Sequence, residues 1–509
     1  MKKYIKALNT SQLIMCIYLI LVLVGLPLSV NNAYYDIGKA KYYFYCGASL
    51  LLVPILLLTL KTRPSILHFF KTLSLGEKAL LIYWGASALS TLFSPYRFEA
   101  FWGNEGRLSG LFLMSIYAIA YFFISRYYKP HPFFMYAGML TGAIVFALGI
   151  TDFFNLNLLH FKDHITYQEK LDFISTMGNI NFYASYGAVI VGLTAGIYTT
   201  CRKKAEASVW FIFMVFSFVG LVIGNSDSAY LTFGVLAGFM PLYLFQNRRG
   251  VRRYFMMISA LLLAFLIVKI LSIRYSDIVW KLNGIPAIII RWDGFICLCL
   301  IFWTVTAILY GIDYGFHKKD DKLGNKLQIL WGVFLCAAVI GITIVLIDAN
   351  FLGHGDRYSS IRNYVIFNND WGTHRGFVWR KAIENYKNFP LLQKILGLGP
   401  DTYGILSYFR DISESSALFG ELFDSVHNEY LQFFVTIGPI ATGAYITFLG
   451  CSIWDMMKNH CNSYAVGAAF GVFCYCGQAL VSINQPGPTS IMWTLLAMGI
   501  AEARYHNLV

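Results

Sequence analysis

Apolar residues in this chain come in long runs separated by short polar breaks. Runs of about 17 residues or more, enough to cross a bilayer as a helix, fall at 11–30, 42–60, 78–93, 108–125, 133–152, 182–200, 208–224, 228–246, 254–272, 291–311, 327–347, 428–455, 464–483 and 488–503. The pattern predicts an all-α polytopic membrane protein of about 14 transmembrane helices, within a range of 12–14. The first run follows Met1-Lys2-Lys3 and reads as an uncleaved span rather than a signal peptide, because a second apolar run follows directly.

Residues 348–427 break the pattern with one long polar insert, and loops of that length usually carry function. The chain therefore divides into helices one to eleven (1–347), a partly helical extracytoplasmic loop domain (348–427) and helices twelve to fourteen (428–509). Inside the insert, Thr373 is placed to cap a helix through Trp379, Ala382, Ile383 and Tyr386 that stops at Pro390. Gly397, Gly399 and Pro400 then predict a tight turn.

Composition agrees with the membrane reading. Hydrophobic residues make up 57% of the chain and charged residues 13%, half the charged share of an ordinary soluble domain, with a mean hydropathy of +0.57. A soluble enzyme, a disordered chain and a secreted disulfide scaffold are excluded. The net charge of +13 is first a topological signal. With a cytoplasmic N-terminus, the inside segments carry more than twice the Lys and Arg of the short outside loops, with Arg248, Arg249, Arg252 and Arg253 as the clearest cluster. Both termini are then cytoplasmic, the insert is outside, and nothing calls for nucleic acid. The cysteines lie in apolar runs or short basic loops, and the pairs Cys297/Cys299 and Cys474/Cys476 lack further metal ligands, so they read as small packing residues.

Candidate chemistry gathers on the outside. Asp424-Ser425-Val426-His427-Asn428-Glu429 precedes the twelfth run; a histidine at the membrane surface can take a proton from a hydroxyl, while a helix-capping role accounts for His427 and Asn428 equally. Arg97, Arg107, Arg291 and Arg375 stand outside, against the topological bias. Their guanidinium forks suit phosphate oxygens, and salt bridges to Glu99, Glu105 or Asp293 are the alternative. Arg107 and Arg375 are the favoured pair. Asn179 and Asn181, entering the sixth run, can hold a sugar or cap a helix, and Asn225-Ser226-Asp227-Ser228 and Asn484-Gln485-Pro486 are similar polar turns. Lys269 is the main charge inside a span, towards its outer end. The sequence has no phosphate-binding glycine loop, dinucleotide fingerprint, zinc-protease motif or clustered acidic pair, so no cofactor and no metal are expected.

From His427 the pattern becomes specific. His427-Asn428, then nine residues, then Gly438-Pro439-Ile440-Ala441-Thr442 resembles the signature of the O-antigen ligase and polymerase superfamily, with Ala441 in place of its second glycine. Arg375-Gly376-Phe377-Val378-Trp379 and Pro390-Leu391-Leu392 through Leu396-Gly397-Leu398-Gly399-Pro400 look like that family's arginine-tryptophan helix and its following turn. Ser94-Pro95 to Gly110 resembles its first outer loop, and Gly178 to Ala184 its asparagine-rich element. Ser228-Ala229-Tyr230 stands where many ligases have Ser-Arg-Gly, so one expected phosphate-binding arginine is absent.

The resemblance implies a GT-C-like membrane glycosyltransferase of the cytoplasmic (inner) membrane. Its donor would be a polyprenyl-diphosphate-linked glycan, and its acceptor a hydroxyl on a glycan, lipid or wall component. His427 would orient or deprotonate that hydroxyl, and Arg375 and Arg107 would neutralise the diphosphate. Asn428 would hold the histidine or contact sugar, Asn181 would contact substrate, and Trp379 would stack on sugar or anchor its helix. Polymerisation, ligation and protein O-glycosylation all remain open. A flippase for lipid-linked oligosaccharides is the non-enzymatic rival, although transporters place their ionisable groups at mid-membrane rather than at one surface.

Overall fold

A computed structural model of the protein describes residues 2–61, 66–316, 322–458 and 462–506. Among the described residues, nine helices are long and apolar enough to cross a membrane, from Thr10–Leu28 and Ile37–Lys61 at the N-terminal end to Ser463–Val481. Further helices, including Leu75–Phe93, Leu111–Tyr127, Ala229–Leu244, Gly438–Met457 and Pro486–His506, occupy the other positions where the pattern predicts them. The chain is thus an all-α polytopic membrane protein, and its described strands are one short antiparallel hairpin pairing Phe173–Ile174 with Gly178–Asn179.

Two predicted helices differ in detail. The second begins at Ile37 rather than 42, and its Lys41 is buried, donating to the carbonyls of Leu26, Pro27 and Ser29 at 3.2, 3.0 and 3.1 Å. That ammonium satisfies acceptors left open where the first span ends. The run at 428–455 is broken into Glu429–Thr436 and Gly438–Met457, because Gly438 turns the backbone with φ +81°.

Ile180–Thr200 is the central helix and packs on Ser463–Gln478 through small residues. A Cβ on Gly192 would stand 2.4 Å from the Phe470 carbonyl, and one on Gly196 2.8 Å from Gly467 Cα. Only such residues allow backbones this close, and close packing is what holds helices together in lipid.

The connecting loops meet in two clusters at opposite ends of the helices. At one end, Glu77 joins Arg126 at 3.0 Å and Arg504 at 2.9 Å, and Tyr4 reaches the Lys129 carbonyl. At the other end, Lys39 pairs with Glu105 at 3.2 Å, Asn225 Oδ1 accepts from Asn283 N at 3.0 Å, and Tyr364 Oη donates to Asp227 at 3.1 Å.

The polar insert lies at this second end and has its own small core: Phe377, Val378, Ala382, Phe389, Leu398, Tyr403 and Leu406, joined by Val426 and Val435. Its main helix is Trp371–Lys387, so the helix through Trp379, Ala382, Ile383 and Tyr386 forms where expected. Thr373 is not its side-chain cap. Gly372, Thr373 and His374 all adopt left-handed backbone (φ +61°, +59° and +67°), and regular helix resumes at Arg375.

Candidate active site

Two loops far apart in sequence build the site by docking on each other. The buried carboxylate of Asp401 accepts hydrogen bonds from Asn104 N at 2.8 Å and Ser109 N at 3.0 Å, and Ser94 Oγ donates to the Leu398 carbonyl. Burial pushes the Asp401 carboxyl up to about 6 although Arg107 and those two N–H groups pull it down. Gly399 (φ +112°) and Gly438 (φ +81°) allow the contact: a Cβ on Gly399 would meet Ala100 at 2.6 Å, and one on Gly438 the Ile395 carbonyl at 2.1 Å. The backbone of Gly399 also donates to the Thr436 carbonyl at 2.7 Å, so the 390–400 turn sits against the break between the two halves of the twelfth predicted helix.

The segment carrying His427 is held on both sides. Trp379 Nε1 donates to the Val426 carbonyl at 2.9 Å, and Val426 N donates to Gln432 Oε1 at 3.1 Å. Asn428 is the N-cap of Glu429–Thr436, its Oδ1 accepting from Leu431 N at 3.0 Å. The next residue, Glu429, is buried and accepts from the hydroxyls of Tyr445 at 2.7 Å and Tyr475 at 2.9 Å. His427 itself has φ +51°, a left-handed conformation that a non-glycine residue adopts only when its surroundings fix it.

Arg107 grips Asp424 in a forked pair, Nε to Oδ2 at 3.1 Å and Nη2 to Oδ1 at 2.5 Å, while its Nη1 is buried with no partner among the described residues. Burial raises the Asp424 carboxyl, but the charge and hydrogen bonds of Arg107 hold it below the usual range. Arg375 donates through Nε to the Val481 carbonyl at 3.2 Å and through Nη1 to the Gly372 carbonyl. Burial, then the positive charges of Arg375 and Arg107, bring the half-buried His427 down to about 3, against the opposing pull of Asp424. His427 is therefore a neutral imidazole with two guanidinium groups close enough to act on it.

Of the six residues singled out in the sequence, the structure brings His427, Arg375 and Arg107 together, with Asn428 and Trp379 supporting the same segment. Asn181 Oδ1 accepts from Ser226 Oγ at 2.8 Å, in a buried network with Ser228, Gln478 and Ser185, and Ser226 precedes the Asp227 that acts on the charge of Arg375. Asp401 and Asp424 were not assigned from the sequence. Asp424 lies within the quoted hexapeptide and Asp401 follows the Gly399-Pro400 turn, but only the fold reveals their partners. The alternative for Arg107, a salt bridge to Glu99 or Glu105, does not form among the described residues; Arg107 pairs with Asp424 instead.

Residues 294–446 match the O-antigen ligase family. That match supports an O-antigen ligase or polymerase assignment for the chain, and it spans His427, Asn428, Arg375, Trp379 and the Gly438 break. Arg107 and Asn181 lie outside the matched segment, and Arg107 reaches it through its ion pair with Asp424. No curated protein matches the chain.

Proposed function

We propose that the protein is a membrane glycosyltransferase that moves a glycan from a polyprenyl-diphosphate donor to an acceptor hydroxyl on the outer side of the cytoplasmic membrane. In this reading it has 12–14 spans in a GT-C-like arrangement, with both termini cytoplasmic. The observation that carries it is the convergence of a neutral His427 with Arg107 and Arg375 beside a match to the O-antigen ligase family.

The neutral imidazole takes the proton of the acceptor hydroxyl as the acceptor oxygen bonds to the anomeric carbon. The bond from that carbon to the donor phosphate breaks, and the electron pair leaves with the polyprenyl diphosphate. Arg107, through its unpartnered Nη1, and Arg375 stabilise the negative charge on the leaving group. In-line displacement inverts the anomeric centre. Asn428 and Trp379 contribute by fixing the backbone on either side of His427. No step needs a nucleotide.

Polymerase and ligase share this chemistry and differ in the acceptor, which the lipid-linked glycans of the host report. The test compares those glycans and the surface polysaccharide in cells with wild-type protein, with none, and with His427→Ala. Accumulated single units on diphosphate lipid in both defective strains identify a polymerase; accumulated long lipid-linked chains identify a ligase. A normal profile with His427→Ala rules out the catalytic role and returns the flippase to consideration.

A further inference from the structure

The segment between the helices Arg248–Arg274 and Phe295–Phe316 does not simply cross the surface. It is fastened down: Trp280 N donates to the Phe153 carbonyl at 3.0 Å, and Ile285 N donates to Asp227 Oδ1 at 2.8 Å. Between the fastened segment and the end of Arg248–Arg274 lies an open cavity of about 490 Å³, and a second of about 330 Å³ adjoins it, both lined by Arg291, Leu282 and Ala287. The larger is walled by Lys269, Lys281 and Arg291; the smaller adds Arg362.

These cations have no carboxylate partner among the described residues. Among the described residues no ion pair joins Arg291 to Asp293, and Asp277 accepts from Ser276 Oγ at 3.3 Å. Lys269 lies about 7 Å below the end of its helix by the rise per residue, with its ammonium 5.6 Å from the Phe295 ring centroid. A lysine at that depth is costly without an anion. The buried Ser272 hydroxyl, on the same wall, has no hydrogen-bond partner among the described residues. Beside these polar groups, Ile270, Ile273, Ile288 and Ile296 expose their side chains to the outside of the bundle. Cations and an idle hydroxyl inside, with an apolar flank open to lipid, suit a phosphate carried on a hydrocarbon chain better than a free anion.

We propose that Lys269, Arg291 and Ser272 form a second site, distinct from the one at His427, that binds the phosphate headgroup of a prenyl lipid from the side of the bundle. The smaller cavity continues from it to Tyr364, whose hydroxyl donates to Asp227 at 3.1 Å, and Asp227 in turn acts on the charge of Arg375. The choice of a prenyl lipid rests on the donor proposed above, whereas binding at this groove is read without transfer chemistry, so its failure leaves that reading standing.

Full-length protein in phosphatidylcholine nanodiscs is irradiated with a diazirine-bearing farnesyl diphosphate, and labelled peptides are mapped by mass spectrometry. Labelling within 269–296 is expected, falling about tenfold in Lys269→Gln/Arg291→Gln and persisting in Arg291→Lys. Lys281→Gln, at an exposed rim position, serves if the double variant melts abnormally, and lowers labelling about two- to threefold. Labelling confined to 375–430, or undiminished in these variants, overturns the proposal. Loss of labelling on adding equimolar inorganic diphosphate also overturns it, assigning the groove to a free anion.

Discussion

Arg107 and Asp424 lie 317 positions apart and meet in a forked ion pair, with Nε and Nη2 engaged and Nη1 left buried and unpartnered. The pair fixes the orientation of a guanidinium that a single-point contact would leave free to rotate. Asp424 is thus a positioning residue for Arg107, and its loss should separate two kinetic parameters. Asp424→Asn removes a negative charge near the diphosphate, so donor KM stays level or falls, while kcat drops about tenfold as Arg107 loses its aim. Arg107→Ala lowers kcat about a hundredfold. In a double-mutant cycle the pair should couple by about 1–3 kcal/mol; additive effects would show that the ion pair is only structural.

The pH dependence of transfer follows from the surroundings of His427. Burial and the charges of Arg375 and Arg107 lower its value to about 3, so the free enzyme holds it neutral at any pH above that. A bound diphosphate cancels much of the arginine charge, which raises the imidazole in the complex. The acid limb of kcat should therefore lie at higher pH than the acid limb of kcat/KM, since the first reports the complex and the second the free enzyme. Arg375→Gln should shift the kcat/KM limb upward, and Asp424→Asn downward, because Asp424 opposes the lowering. Coincident limbs in the wild type would remove diphosphate from the neighbourhood of His427.

Much of this fold is legible in the sequence because the bilayer imposes a single requirement, a helix of sufficient apolar length. Even so, the start of Ile37–Ser49 is missed, since Lys41 looks like a loop residue until its three carbonyl partners are seen. The break at Gly438 is missed although Gly438-Pro439 marks a turn and a helix start, because the long apolar run outweighs it and the crowding by Ile395 comes from another loop. At the candidate site, His427 and Arg375 stand out by motif. The contacts that assemble the loops around them do not, because the links of Asp401 to Asn104 and of Asp424 to Arg107 cross about 300 positions, beyond any local period.

Asp401 gives a stability test of the loop docking. Its folded value of about 6 lies above that of an unfolded aspartate, near 4, so the native state holds the proton more tightly in that window. The carboxyl's contribution to stability therefore falls as pH rises from about 4 to about 6. Asp401→Asn keeps an oxygen for the two N–H donors and should flatten this slope with little loss of stability. Asp401→Ala leaves both N–H groups buried without an acceptor and should cost about 2–3 kcal/mol. Thermal melting of the purified protein across pH 4 to 8 reads both; identical slopes in wild type and Asp401→Asn would mean that the carboxyl does not govern docking.

Trp379 separates a positioning role from a sugar platform. Its indole N–H donates to the Val426 carbonyl at 2.9 Å, and its ring lies edge-on to Trp371 with centroids 5.1 Å apart. The hydrogen bond holds the residue before His427, whose left-handed backbone relaxes readily once one support is removed. Trp379→Phe keeps an aromatic face but loses the donor. If the residue positions His427, this variant lowers kcat about fivefold with donor and acceptor KM unchanged. If it stacks on sugar, Trp379→Phe retains kcat and only Trp379→Leu, which has no ring, raises KM. Steady-state kinetics of the two variants with a lipid-linked donor distinguish the roles, and the hydrogen bond to Val426 favours the first.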